Sequence, residues 1–413
     1  METTLTGLTE VYTHRPAGVP WPGVGSVLHY EESFEDREVN EEQSVAQRYP
    51  LRERPLVQLY TISWLVFFSI LGTLARLGVE WITYYPNMPV TTNVLWANFG
   101  GTLLLGFLQE DRVLFAERKN RTSLSPSDSR SIPRVEDEVE KRDTQFDHLS
   151  LKERIPVHIG LTVGFCASFT SFSYFMRDLF LALSNDLVSG NVSILPRNRG
   201  WSVSAVLAVA ITEVTVCIAA LSFGAHIAIF LRPLLSKIPN TNPTRWLNPL
   251  SVLLGFGCWL GAIFLTVWPP RNHWRADVLF ALVFAPVGCL LRYLLALRLN
   301  PLTPNFQLGT FTSNVFGTAV LGMAYVLQRS PLAPAGGAIG GGVLGCQVLE
   351  GIIEGFCGCL TTVSTWVAEL RALRKNHAYV YGVVSLSVGL GILVIIMGSV
   401  RWTNGFAESI CAG

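Results

Sequence analysis

Of 413 residues, half are apolar and only 15% are charged, with a mean hydropathy of +0.38 and a formal net charge of +1. Soluble globular proteins carry about 25% charged residues, so the composition excludes an ordinary soluble domain and indicates a membrane protein. The near-zero net charge excludes nucleic acid as a partner class, because it supplies no basic field.

The chain opens on a polar stretch, 1–56, rich in Glu, Arg and Pro and without a short apolar core behind a basic end. It is expected to be a disordered cytoplasmic tail with no cleavable signal, so the first apolar segment acts as the insertion signal. Windows of about 20 apolar residues, the length that crosses a bilayer as a helix, then fall at 57–79, 91–108, 157–184, 203–231, 247–268, 277–299, 308–328, 339–368 and 379–401. Nine spans are therefore predicted. The glycines from Gly336 to Gly345 blur the start of the eighth and leave a count of eight or ten open. Between the second and third spans lies a charged loop, 109–156, expected to be disordered for the same reason as the tail. Lys and Arg concentrate in that loop and at Lys237, Arg245, Arg371, Arg374 and Lys375, which places these connections and the amino terminus in the cytoplasm and the tail 402–413 outside. The sequon at Asn191 then falls outside and the one at Asn120 inside.

Seven of the eight cysteines lie in apolar runs and Cys411 in the terminal tail, so they read as small buried apolar residues rather than a disulfide framework. Cys357 and Cys359 have no histidine or carboxylate partner at metal-ligand spacing.

The chain repeats itself. Gly72-Thr-Leu-Ala-Arg76, then Ala97-Asn98-Phe-Gly-Gly101-Thr through Gly106, then Gly164-Phe-Cys-Ala-Ser-Phe-Thr170-Ser-Phe-Ser173 return in the same order as Gly288-Cys-Leu-Leu-Arg292, Ser313-Asn314-Val-Phe-Gly317-Thr through Gly322, and Gly355-Phe-Cys-Gly358-Cys-Leu-Thr361-Thr-Val-Ser364. Each half contains four spans and one span lies between, so the second half enters the membrane inverted. The expected fold is all-α, two inverted four-helix repeats (57–232 and 277–401) joined by a linker helix at 246–268, a 4+1+4 arrangement. Inverted repeats place polar sites at their interface, often where a helix is broken, and the Gly, Thr and Ser runs at 164–173 and 355–364 are the candidate breaks. Arg76 and Arg292 sit at equivalent points, as do the intramembrane amides Asn98 and Asn314. Glu213 is an intramembrane carboxylate with no evident counterpart, suited either to a helix–helix hydrogen bond or to transport.

These blocks resemble the CrcB/Fluc family of fluoride channels, and the fused halves resemble its eukaryotic branch, the fluoride export proteins; the resemblance covers about 57–232 and 277–401. It implies a passive, fluoride-selective channel of the plasma membrane that expels the anion and confers fluoride resistance. Asn98 and Asn314 would be pathway amides, Arg76 and Arg292 vestibule arginines, and Phe172 and Phe175 the family's pore-facing ring pair. That pair is Val363 and Trp366 in the second half. Thr361, Thr362, Ser364, Ser173, Tyr381 and Ser385 would supply hydroxyls, continued toward Gly389, with the first-half equivalents around Ile211 and Thr215 drifted. One competent and one degenerate pore follow. The resemblance further implies a structural Na⁺ held by backbone carbonyls of Ala167, Thr170, Gly358 and Thr361, and a single-chain pseudo-dimer whose partners are fluoride and membrane lipid.

The residue chemistry suits that reading. Fluoride is strongly hydrated, and a path must replace its water with amide N–H, hydroxyls and positive ring edges. The competing classes are a proton-coupled exporter using Glu213 and an intramembrane enzyme; the seven histidines are scattered without a repeated Ser/His or His/Asp pairing, so no enzyme is expected.

Overall fold

The computed structural model describes residues 54–85, 88, 90–92, 94–111, 113, 155–187, 199–237, 244–269, 278–330, 342–407 and 411. Most of the 1–56 tail, most of the 109–156 loop and both sequons lie outside the described residues. Among the described residues every regular element is helical. The long helices are α1 Arg54–Thr83, α2 Val94–Glu110, then α3 Pro156–Ile159 leading through a π-helical turn (Gly160–Cys166) into α4 Ala167–Phe169, α5 Phe172–Ser184, α6 Arg199–Leu235 and α7 Thr244–Val267. The second half continues with α8 Phe280–Leu299, α9 Leu308–Arg329, α10 Gly342–Gly351 leading through a second π-helical turn (Ile352–Cys357) into α11 Gly358–Leu360, then α12 Ser364–Ala372 and α13 Lys375–Thr403. The residues from Gln58 onward form one compact unit; of the preceding one only the first residues of α1 are described.

Eight helical segments are long and apolar enough to cross a bilayer. The protein is a multi-pass membrane protein. Eight of the nine predicted windows coincide with them to within a few residues, and the ninth, 91–108, is α2, which has 17 residues. Large side chains on the outer faces of α6, α7 and α13, such as Phe230, Leu253, Leu260 and Ile395, are 67–79% exposed. An apolar face left open on that scale is what lipid contacts. The linker α7 is peripheral: Trp259 Nε1 donates to Val283 O of α8 at 2.9 Å, and Gly255 lets α7 close onto the backbone of Ser63.

Two of the spans are broken where the sequence predicts. Thr170 and Thr361, at equivalent places, both leave the helix with φ −97° and ψ 152°. The hydroxyls that follow them compete with the helical ladder for backbone groups, and each break comes just after a π-helical turn, whose extra residue frees a carbonyl. Both irregular stretches are buried, consistent with backbone at membrane depth surviving only inside protein.

The cysteines correct the sequence reading. Cys346 and Cys411 form a disulfide, and Cys258 is exposed rather than buried. The pairing is tertiary in origin: the chain after α13 folds back, with Ala407 N donating to Arg329 O at 2.9 Å, Phe406 edge-on to Tyr325 at 5.4 Å, and Arg401 bidentate on Asp186 at 2.6 and 2.8 Å. That return carries Cys411 to the start of α10. Cys411→Ser is expected to make Cys346 reactive to a membrane-impermeant maleimide without reductant, whereas both thiols of the unsubstituted protein should label only after reduction; labelling without reductant in the latter would refute the pairing.

Candidate functional site

The two breaks cross at the centre of the molecule, and each half caps the other. Thr361 Oγ1 accepts from Ser173 N, in the first turn of α5, at 3.0 Å. Thr170 Oγ1 in turn accepts from Val363 N and Ser364 N, at the start of α12, at 3.2 Å each. The first N–H groups of a helix have no partner within it, so a hydroxyl from the opposite half completes each one. Further hydroxyl contacts join the halves: Thr170 with Thr362 and Ser364 (3.1 Å each), and Thr361 with Ser171 (3.2 Å) and Ser173 (3.0 Å). All of these side chains are fully buried.

The asparagines hold the breaks from within their own halves. Asn98 Oδ1 accepts from Ser171 N at 2.8 Å while its Nδ2 donates to Ser171 O at 3.4 Å. Asn314 does the same to Thr362, at 2.8 and 3.2 Å. Each amide thus takes the place of the backbone pairing that the break lost.

The arginines span the halves. Arg76 donates to the backbone carbonyl of Glu354 in the second π-helical turn, and Arg292 donates to Val163 O in the first at 2.7 Å and to Cys359 O at 2.8 Å. Glu354 and Val163 are equivalent positions in the repeat. Arg76 also pairs with the Glu354 carboxylate at 3.3 Å. Neither guanidinium is open to water, at 0% and 4% exposure. The structure therefore shows both as tethers of π-turn carbonyls.

Around this centre the two halves differ. In the second half Glu369 accepts from Thr310 Oγ1 at 2.5 Å and from Tyr381 O–H at 2.8 Å, and Ser385 lies one turn along α13 from Tyr381. Phe172 and Phe175 pack against these elements. Phe172 is edge-on to Phe175 at 6.0 Å and to Trp366 at 5.4 Å, and Gly389 leaves the space on α13 that brings Phe172 and Met176 close. The first-half ring pair and the second-half hydroxyls thus share one wall system.

The matching first-half register is corrected by the packing. A side chain at Gly106 would strike Leu221, and one at Gly322 would strike Leu393. The same displacement pairs Tyr381 with Val209, Ser385 with Glu213 and Gly389 with Cys217, instead of Tyr381 with Ile211 and Ser385 with Thr215. Ile211 is 61% exposed and Thr215 bonds only back to its own helix, on the lipid face. The block alignment likewise pairs Thr310 with Val94 and Glu369 with Asp178. Glu213 is buried, and its Oε1 accepts from Asn98 Nδ2.

Sequence reasoning did not single out Thr310, Glu369 or Glu354. The signal used for Glu213, a carboxylate inside an apolar run, applies equally to Glu354, whereas Glu369 falls one residue beyond the eighth apolar window.

A sequence profile described as CrcB-like protein, Camphor Resistance (CrcB), matches residues 63–225 and 279–399, together more than half of the chain. The chain belongs to the CrcB family. Each CrcB match falls on one half. Among curated relatives, fluoride export protein 1 of Neurospora crassa is 47% identical over 92% of this chain and 74% of its own length, and fluoride export protein 1 of Candida albicans is 30% identical over 83% and 80%. The fluoride-specific ion channel FluC of Pseudomonas paraeruginosa is 33% identical over 32% of this chain but 98% of itself. A whole bacterial CrcB protein therefore aligns with about a third of this one. No solved structure gives a significant match.

Proposed function

We propose that this CrcB protein is a passive fluoride channel that exports the anion across the plasma membrane. The observation that carries the reading is that Phe172 meets Trp366 and the Gly389 face of α13, the helix that carries Tyr381 and Ser385, beside the break held by Asn314: rings, amide and hydroxyls are the ligand set a dehydrating fluoride needs. The names of the relatives support the same anion. Gradient-driven efflux needs no energy-coupling site.

The working unit is a single chain acting as a fused pseudo-dimer, because each half supplies helix caps and arginine tethers to the other. Nine spans in a 4+1+4 order follow if α2 crosses too; its 17 residues rise about 25 Å, near the lower limit for a span. The disulfide supports the orientation independently of the Lys and Arg distribution. It lies at the end of the molecule that the charge distribution places outside, and disulfides persist in oxidising compartments. The carbonyls at the ends of α4 and α11, among them those of Ala167, Thr170, Gly358 and Thr361, lie where the helical ladder stops, and hard oxygens at a helix C-terminus suit Na⁺. A bound Na⁺ would supply positive charge next to the path and hold the halves together. The Arg76 guanidinium lies against Gly358, where a Cβ would meet it.

Liposomes carrying the purified protein, under an imposed potential, test the reading: fluoride should leave rapidly and chloride should not, without a proton gradient. Phe172→Ile with Phe175→Ile is expected to slow fluoride per folded molecule and to lower thermal stability, since both rings are fully buried. Unchanged flux in that variant would reduce the rings to packing; no fluoride flux in the unsubstituted protein would remove the function.

A further inference from the structure

The two halves set different chemistry beside their asparagines. Asn314 Nδ2 has two hydrogens, of which one goes to Thr362 O; among the described residues no acceptor takes the second. Asn98 Nδ2 spends one on Ser171 O and the other on Glu213 Oε1. Glu213 stands where the second half has Ser385.

We propose that Glu213 closes the first-half pathway, by claiming the spare N–H of Asn98 and presenting carboxyl lone pairs where the other pathway presents a hydroxyl. This rests on the fluoride-channel reading above. A hydroxyl can turn its hydrogen toward an anion, whereas Glu213 Oε1 faces the pathway amide as an acceptor in either protonation state of the carboxyl. Fluoride arriving there finds the second Asn98 N–H already taken by Glu213, whereas the other pathway leaves the equivalent Asn314 N–H free among the described residues.

The replacements for Tyr381, Thr310 and Phe172 on this side remove ligands without adding a polar group. Val209 stands for Tyr381, Val94 for Thr310 and Val363 for Phe172. Asp178 stands for Glu369 but is held by Arg177, whose Nη2 lies 3.2 Å from its Oδ1. Glu213 is the one substitution that inserts a competing polar group. Its hydrogen bond also keeps the Asn98 amide turned to Ser171, so closing this path and holding this break are done by the same side chain. The amide of the closed path is thereby kept as a structural part.

The mirror experiment is Ser385→Glu, which places the same carboxyl in the second pathway, measured as fluoride efflux from liposomes with thermal stability followed in parallel. Efflux is expected to fall by about 10- to 100-fold, because the carboxyl would take the spare Asn314 N–H from the anion, the loss of one hydrogen bond to a charged group. Glu213→Ser alone should conduct at the level of the unsubstituted protein or above it. Adding Glu213→Ser, Val94→Thr and Val209→Tyr to the Ser385→Glu chain should restore measurable fluoride efflux by the first path. Half of the original flux surviving in folded Ser385→Glu would mean that the first path already conducts with Glu213 in place, and would overturn the proposal. So would a tenfold loss in folded Glu213→Ser, which would put the carboxylate in the working path, or no recovery in the folded combined variant. Fluoride flux in the unsubstituted protein is the control that separates these outcomes from failure of the channel reading itself.

Discussion

Asn314→Leu is expected to bring fluoride efflux to the background of empty liposomes, and to lower stability by about 2–6 kcal/mol, because two buried backbone groups lose their partners at about 1–3 kcal/mol each. The amide serves Thr362 through both of its ends, Oδ1 from the N–H at 2.8 Å and Nδ2 to the carbonyl at 3.2 Å. Leucine fills the volume and offers neither. Asn314→Asp keeps the acceptor for Thr362 N but loses the donor and buries an unpaired carboxyl against Thr362 O, so it should cost at least as much stability as leucine and leave equally little of the flux. Asn98→Leu should cost comparable stability yet leave fluoride flux per folded molecule near its original level, since its second donor is already committed to Glu213. Equal loss of flux in both asparagine variants at matched folding would show two working paths.

Arg76→Leu is expected to be the most damaging single change to the fold, at about 3–5 kcal/mol, the cost of stripping one partner from a buried ion pair. Arg76 is fully buried, pairs with the Glu354 carboxylate at 3.3 Å and also holds the Glu354 carbonyl. Its removal leaves a carboxylate and a π-turn carbonyl without a donor. Arg292→Leu should cost less, because the residue equivalent to Glu354 is Val163 and only carbonyls lose their partners. Arg76→Leu with Glu354→Leu should recover much of the loss, since a buried pair replaced by apolar residues of similar size is often near neutral. Thermal unfolding in detergent ranks the three variants. A double variant as unstable as Arg76→Leu would show that the carbonyl tether, not the ion pair, carries the energy.

The sequence made the asparagines visible as paired intramembrane amides, but not what they hold, because the partner of each is a backbone group 73 or 48 residues away that becomes available only once the helix is broken. Arg76 and Arg292 were visible as an equivalent pair and expected at a vestibule. Their burial on the opposite half's π-helical turns depends on how the halves cross, which no local pattern encodes. Glu369 was overlooked although Thr310 and Tyr381 both bond to it, since its partners lie on two other helices. The Cys346–Cys411 pair escaped for a related reason: the tail's return rests on Arg401 with Asp186 and Phe406 on Tyr325, contacts between residues with no shared periodicity.

Eight of the spans and the repeat were legible because each follows from local chemistry. An apolar run of bilayer length has few alternatives in lipid, and an unpaired backbone group there is so costly that hydroxyl and glycine clusters mark the breaks wherever they occur. What the tertiary structure alone decided is the asymmetry. Glu213 and Ser385 become equivalent only through the helix register that Gly106 and Gly322 set against Leu221 and Leu393, and Phe172 joins the second-half hydroxyls only because the two breaks cross. Helix register and crossing come from packing between residues far apart in the chain, and a linear pattern is blind to them for that reason.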